Sequence, residues 1–503
     1  MNLMMLLEMA AGGMGERTAL VCEGERWTHA ELLAGAGRAA AKIRALDVER
    51  VSVLDVSSPA VPLALFGSAW AGRPFVPLNY RLSGVELEAL LERAAPVLLI
   101  TDRERAALFQ GREGVRVMLR EELLEVARAP GATPPQDWSM EPEDVAIWLF
   151  TSGTTGVPKA ALLRHRHLVS YILGSVEFMS ADEADAALVS VPPYHVAGMA
   201  AVLSSVYAGR RIVQLPAFSP EAWLGLAERE RITNAFVVPT MLARVIERLE
   251  AAGAKPPAAL RALAYGGGKM PLPVIERVMR RMGHVDLTNA YGLTETSSTI
   301  AVLGPDDHRE AAASDDPGVR RRLCSVGRPL PGVEVEIRDP EGKPLPPGAR
   351  GEICVRGEQV SGEYLGRASR VGPDGFFPTH DGGFLDEAGY LFLEGRIDDV
   401  IVRGGENLSP GEIEDVLLEH PAVADAAVVG VPDLEWGEGV AAAVVLKPGA
   451  AATADEIRGW VREHLRSSRV PQLVRFEAEL PYNETGKLLR RKVREALAQT
   501  VPS

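Results

Sequence analysis

From about residue 28 to residue 300, short apolar runs alternate with amphipathic helical stretches. Leu87, Leu90 and Leu91 fall at helical spacing behind Ser83 and Glu86, which have the form of a capping box, and Val97 to Ile100 then predicts a strand. Strand-like runs recur at Val145 to Phe150, Ala187 to Val191, Ala235 to Val238, Leu263 to Tyr265 and Leu287 to Tyr291, each separated from the next by a helical pattern. Such alternation predicts a layered α/β architecture. Between about 325 and 395 the pattern shortens into β-like pieces, Val333 to Ile337 and Glu352 to Val355, punctuated by Gly and Pro, which predicts a small β-rich subdomain. Beyond residue 398 strands and helices alternate on a smaller scale, with Thr453 and Glu456 as a second capping box, so a compact α+β domain of roughly 105 residues is expected there. Ala129 to Asp137 and Pro305 to Val319 read as exposed loops from their Pro, Gly and acidic content. No internal repeat is visible.

With 503 residues the chain exceeds one ordinary domain, and a hydrophobic share of 47% against 24% charged residues is that of a globular protein. The net charge of -14 is a poor match to nucleic acid or to an anionic membrane surface. Cys22, Cys324 and Cys354 lie far apart with no CxxC pair, which suggests neither a disulfide framework nor a zinc site and fits a reducing cytoplasm. The opening MNLMMLLEMAAGG has no basic residue ahead of its apolar run and holds Glu8, so it predicts an amphipathic helix and not a secretory signal. No run of 18 apolar residues predicts a transmembrane helix.

The chemistry concentrates first in TSGTTGVPK, Thr151 to Lys159, which follows an apolar strand and precedes a helical pattern. Thr151, Ser152, Gly153, Thr154, Thr155 and Gly156 can turn hydroxyls and backbone N–H groups toward an oxyanion, and Lys159 adds a positive charge. The P-loop pattern is not met, because Val157 and Pro158 follow Gly156 where that motif needs its lysine. Taken alone, the same residues would also make a polar surface turn.

The string resembles the signature loop of the adenylate-forming superfamily of acyl-CoA synthetases, peptide-synthetase adenylation domains and luciferases. Further family signatures follow in order: PPYHVAG at Pro192 to Gly198, YGGGKMP at Tyr265 to Pro271, YGLTET at Tyr291 to Thr296, THDGG at Thr379 to Gly383, GRIDDVI at Gly395 to Ile401, RGGENLSPGEIE at Arg403 to Glu414 and NETGK at Asn483 to Lys487. The resemblance spans almost the whole chain. It implies a large N-terminal adenylation domain over 1–395, a hinge at 396–398 centred on Asp398, and a small mobile C-terminal domain over 399–503.

By the same resemblance, Glu295 would hold Mg²⁺ on the ATP phosphates and Thr294 would contact the α-phosphate, while Gly266, Gly267, Gly268, Asn289, Ala290, Tyr291 and Gly292 would lie along the nucleotide or the acyl group. One carboxylate beside hydroxyls suits Mg²⁺, which takes hard oxygen ligands and shares them with phosphates; without the other motifs it would be a solvated surface Glu. Asp381 would accept from the ribose hydroxyls with Arg396 nearby, where chance would give a surface ion pair. The family triplet has Gly before this Asp and the chain has His380, which leaves the local loop conformation open. Lys487 would bridge the acid and the α-phosphate, and Gly404 and Gly405 would let the backbone lie close to the pantetheine arm of coenzyme A. Outside the motif, Lys487 would be a solubilising charge and the glycine pair a plain turn.

His195, Met199, Val238, Tyr265, Gly266 and Gly292 would line the acyl pocket, although core packing explains apolar residues equally well. Amino-acid-activating relatives place an Asp near the stretch that here reads Tyr194, His195, Val196, Ala197, so an acid without an α-amino group is expected. The resemblance implies ATP, Mg²⁺ and coenzyme A as cofactors and a hydrophobic carboxylic acid as substrate. An acyl carrier protein or a separate thioester-forming enzyme remains open as the acyl acceptor, as does a homodimer. An inactive acyl- or nucleotide-binding protein is the alternative of another class, but Glu295, Asp381, Arg396 and Lys487 are all present.

Overall fold

The computed structural model describes residues 1–131, 134–151, 158–404, 406–433, 436–483 and 488–499. Two large sheets build the N-terminal part. The six-stranded sheet runs Val115–Leu119, Val97–Thr101, Arg50–Leu54, Phe75–Pro77, Val145–Thr151, Lys159–Arg164, parallel except at its last pair. The nine-stranded sheet runs Arg328–Pro329, Ser298–Leu303, Asp286–Leu293, Ala262–Gly266, Asn234–Val237, Ala186–Val189, Arg211–Gln214, Thr18–Cys22, Glu25–Thr28, with a parallel centre and antiparallel edges.

Helices cover both faces of the parallel strands, which is why Val97–Thr101 is apolar without alternation and buried throughout. Helix Ala60–Ala71 is buried from Ala60 to Trp70, and it belongs to a core that takes side chains from both large sheets. The expected boxes form: Ser83 starts Gly84–Ala94, with its amide donating to Glu86 Oε2 at 2.8 Å, and Thr453 starts Ala454–His464, with its amide donating to Glu456 Oε2 at 2.7 Å. The first helix, Met4–Met14, buries Met4, Leu6, Leu7, Ala10 and Met14 as one face.

Glu334–Arg338, Gly351–Arg356, Phe377–Leu385 and Leu391–Arg396 make a four-stranded antiparallel sheet, the expected β-rich unit. A single 3₁₀ turn, Ile397–Asp399, then leads to the small C-terminal domain. Its five-stranded sheet is built on the hairpin of Val423–Asp433 with Gly437–Leu446, flanked by helices Pro410–Glu419, Ala454–His464 and Arg490–Ala498. Among the described residues no helix is long and apolar enough to cross a membrane.

Two expectations are corrected. Pro305 to Val319 is not a loop: Pro305–Ala313 and Pro317–Arg320 are helical. Proline at the first helical position gives up an amide that has no intrahelical partner anyway, and Asp306 and Asp307 complement the positive helix end. The TSGTTGVPK stretch is not followed directly by a helix. Lys159 instead opens a strand that pairs back on Thr151, so the segment bridges a hairpin and helix His165–Ser175 comes later.

Burial also leaves a pH signature. His29 is fully buried with neither ring nitrogen hydrogen-bonded among the described residues, and burial followed by the Arg17 charge pushes its pKa down to about 4. Its folded pKa lies below its unfolded one, so the unfolded chain takes up the extra proton and stability falls as pH drops from 6.5 toward 4. His29→Phe is expected to flatten the dependence of the urea-derived unfolding free energy on pH in that window by up to ~1.4 kcal/mol per pH unit, with no change in slope above pH 7. Equal slopes in the two proteins would remove His29 as a source of acid sensitivity.

Candidate active site

The strand Asp286–Leu293 carries Asn289, Ala290, Tyr291 and Gly292 and ends in the 3₁₀ turn Thr294–Thr296. Close packing explains the glycines. Gly266 pairs with Ala290, and a Cβ on it would lie 2.2 Å from the Ala290 oxygen; one on Gly292 would lie 1.7 Å from the Ser298 oxygen. Gly267 adopts φ +81° and faces Val238, and Gly268 continues the loop. Glycine is thus required for strand 286–293 to close against both neighbours, with Gly266 on Ala290 and Gly292 on Ser298.

The turn that holds Glu295 is fastened from three directions. Thr296 Oγ1 accepts from the Leu293 amide at 3.0 Å and donates to the Ser298 oxygen at 2.8 Å. Gln359, buried, donates to the carbonyls of Thr296 at 2.9 Å and Thr299 at 2.7 Å. The amides of Ser361 and Gly362 donate to the Glu295 carbonyl at 2.8 and 3.4 Å, and the Tyr364 hydroxyl donates to Glu295 Oε1. Among the described residues Oε2 has no hydrogen-bond partner. No group of three or more His, Cys, Asp or Glu among the described residues could hold a metal. The site fits Mg²⁺ in the manner of a single carboxylate that shares the ion with substrate phosphates and water.

Asp381 and Arg396 face each other in register on neighbouring strands of the four-stranded sheet. Arg396 Nη1 donates to Asp381 Oδ1 at 2.9 Å and to the Thr379 carbonyl at 3.2 Å, while the Tyr291 hydroxyl donates to Asp381 Oδ2 at 2.7 Å. The Asp381 side chain is only 14% exposed, so this is not a solvated surface pair. Burial, then the Asp381 charge, raises the Tyr291 phenol well above its ordinary pKa, so it stays a donor. A carboxylate has about four lone-pair sites, and two are used, which leaves acceptor capacity for a diol.

His195 sits at the N-cap of helix Val196–Ala208, with its ring 4.5 Å from that of Tyr194. Its Nε2 is enclosed without a partner among the described residues, and burial, then Arg81, pushes its pKa down to about 4. The imidazole is neutral at physiological pH. Met199, one turn further on, is buried in the core that joins the two large sheets.

Tyr265, expected on the pocket wall, has its ring buried in the core under the helices, and its hydroxyl is 2.8 Å from His308 Nε2. The partner lies on the helix expected to be a loop, so no sequence signal could have found it. The Asn289 amide is spent on the Ser325 carbonyl at 3.0 Å. Thr151 Oγ1 donates to the Lys159 carbonyl at 3.4 Å across the hairpin. Gly404 has φ +57° and packs under Trp436 of its own domain, where a Cβ would lie 2.7 Å from Cε3. Asp398 falls within the 3₁₀ turn that joins the two domains. Ser152, Gly153, Thr154, Thr155, Gly156, Gly405 and Lys487 lie outside the described residues. Sequence reasoning missed Tyr364 and Gln359, which carry no local motif, and gave no role to Thr379, the first residue of the THDGG string.

This arrangement, a carboxylate-bearing turn beside a buried Tyr–Asp–Arg cluster on an α/β frame, is that of an adenylate-forming enzyme. The chain belongs to the AMP-binding enzyme family, whose profile matches residues 7–365, and the AMP-binding enzyme C-terminal domain matches residues 412–487. It is similar to a feruloyl-CoA synthase of Amycolatopsis sp, 35% identical over 488 residues, which cover 95% of each chain. It is also similar to the fatty acid–[acyl-carrier-protein] ligase ScoC of Streptomyces coeruleorubidus, 33% identical over 491 residues, 95% of this chain and 93% of that one. Among solved structures it resembles o-succinylbenzoate CoA synthetase (MenE) from Bacillus subtilis in complex with the acyl-adenylate intermediate OSB-AMP, with a TM-score of 0.84, 30% identity and 97% of each chain covered. The same enzyme in complex with ATP and magnesium ion gives a TM-score of 0.83.

Proposed function

We propose that this enzyme is an ATP-dependent acid–CoA ligase that acts on a hydrophobic carboxylic acid without an α-amino group. The observation that carries the reading is the convergence of Tyr291 and Arg396 on Asp381, with Glu295 held in the turn that follows the same strand as Tyr291. In the first step a substrate carboxylate oxygen attacks the α-phosphorus of ATP, and the bond to the bridging oxygen breaks to release pyrophosphate. In the second, the CoA sulfur, having given up its proton, attacks the acyl carbon and AMP leaves with the electron pair of the acyl–oxygen bond.

Asp381 binds the ribose, Arg396 orients Asp381 and adds positive charge, and Thr294 and the 151–159 segment bind phosphate. Bound Mg²⁺, held by Glu295, would neutralise phosphate charge. Lys487 bridges the two reacting anions, and Gly404 and Gly405 border the CoA arm. The neutral His195, Met199, Val238 and the glycines at 266–268 line the acyl site, and residues 194–199 contain no carboxylate to pair with a substrate ammonium. We assign the domains as 1–395 and 399–503, alternating between two faces about a hinge at 396–398. A cytoplasmic location is supported by three free cysteines, of which burial raises Cys22 to about 12 and Cys354 to about 11.

Purified protein is expected to exchange labelled pyrophosphate into ATP only in the presence of a suitable acid, and a panel of fatty, aromatic, cyclic and terpenoid acids identifies the class. ATP-independent acid binding across the whole panel, with no exchange, would sink the reading. Likeness to the carrier-protein ligase supports a second acceptor. Thioester formed on a phosphopantetheinylated carrier protein but not on CoA would reassign the second step.

A further inference from the structure

Of the two carboxylates of the nucleotide site, Glu295 lies in the turn after a strand of the nine-stranded sheet and Asp381 on a strand of the four-stranded sheet, and the segment 361–380 ties them together. At one end, Ser361, Gly362 and Tyr364 grip Glu295 through its carbonyl and Oε1. At the other, His380 directly precedes Asp381 and occupies φ +60°, a left-handed conformation that strains a residue with a Cβ. The strain is offset by contacts to its amide and to both ring nitrogens. Its amide donates to Glu352 Oε1 at 3.0 Å, Nδ1 lies 3.4 Å from the same oxygen, and Nε2 meets Arg370 Nη2. An arginine can only donate, so Nε2 accepts, and Nδ1 carries the proton toward Glu352.

Arg370 joins the two ends. Its amide donates to the Gly362 carbonyl at 3.0 Å and Nη2 donates to the Pro378 carbonyl at 3.2 Å, while its guanidinium also acts on the Tyr364 phenol. Arg370 therefore holds, through its amide, the segment that grips Glu295, while its guanidinium holds the neighbour of Asp381 and carries a positive charge that acts on Tyr364.

We propose that Tyr364, Arg370 and His380 are positioning residues that hold Glu295 and Asp381 in register, so that the metal–phosphate and ribose ends of ATP bind as a coupled unit. The proposal rests on the adenylation reading. Arg370 is the coupling element, Tyr364 sets the metal side, and the His380 clamp keeps a left-handed turn where glycine would need none.

The test measures ATP binding to the full chain by calorimetry across a Mg²⁺ titration, with 2′-deoxy-ATP as the sugar probe and thermal midpoints as the check on folding. Tyr364→Phe is expected to raise the Mg²⁺ concentration needed for tight ATP binding about fivefold, with sugar discrimination unchanged. His380→Ala is expected to lower discrimination against 2′-deoxy-ATP about five- to tenfold, whereas His380→Gly retains it, because glycine takes the turn without strain. Arg370→Met is expected to shift both readouts, and in the His380→Gly background to shift only the Mg²⁺ dependence. The proposal is overturned if folded Arg370→Met matches wild type on both, or if His380→Gly loses as much discrimination as His380→Ala. Wild-type protein that binds no Mg²⁺-ATP would sink the adenylation reading and the coupling with it, whereas the variant results sink the coupling alone.

Discussion

Lys487→Ala is expected to slow acyl-AMP formation by about 10²–10³-fold, the usual cost of deleting one preorganised charge at a developing anion. Two anions, the substrate carboxylate and the α-phosphate, must meet in the first step, and in the proposed assignment Lys487 is the cation between them. The second step has no such need, because AMP is already a good leaving group. The variant is therefore expected to convert chemically supplied acyl-AMP and CoA to thioester at close to the wild-type rate. Pyrophosphate exchange measures the first step, and thioester formation from the supplied adenylate measures the second. Intact exchange, or equal loss in both assays, would show that the lysine is not assigned to the correct step.

Glu414→Ala is expected to cost about 3–5 kcal/mol in the C-terminal domain, because it strips a buried guanidinium of its main partner. Glu414 is 5% exposed and accepts from both terminal nitrogens of Arg490, Nη2 to Oε2 at 2.7 Å, as well as from the Val428 amide at 2.8 Å. Arg490 also donates to the Val428 carbonyl at 2.8 Å and lies 3.5 Å from Asp399, which ends the turn between the domains. The pair thus joins helix 410–419, the central hairpin and the start of the last helix. Hydrogen exchange of peptides covering 423–433 reads the local loss directly. Glu414→Leu combined with Arg490→Met is expected to recover much of it, since the unpaired charge is gone. Protection in Glu414→Ala equal to wild type would show that the pair is dispensable.

Much of the frame was legible because its determinants are local. The Ser83–Glu86 and Thr453–Glu456 boxes, the continuous apolar strands and the Gly- and Pro-punctuated β pieces each state a backbone preference within a few residues. Pro305 to Val319 misled because proline and acidic residues are loop formers in general and helix starters in particular, and only the burial of His308 and Ala311 one turn apart decides between the two. The hairpin at Thr151 and Lys159 misled for a similar reason: KAALLR fits either period, and the choice fell to pairing with Val145–Thr151.

The site divides along the same line. By itself the sequence determined the residue types and their order: Glu295 in YGLTET, Asp381 in THDGG, Arg396 in GRIDDVI, the glycines of YGGGKMP, and Lys487 near the end. Those features survive as motifs because each sits in a short backbone context that demands it. Only the tertiary structure decided which groups surround them. Tyr364 on Glu295, Tyr291 on Asp381, Arg370 on His380 and His308 on Tyr265 are contacts between elements whose mutual position is set by how the sheets pack, and no spacing along the chain encodes them. The turn before Asp381 shows the difference most plainly. The chain spells histidine where the motif it resembles has glycine, yet the backbone takes a left-handed conformation at φ +60° because Glu352 and Arg370 hold the histidine and offset the strain.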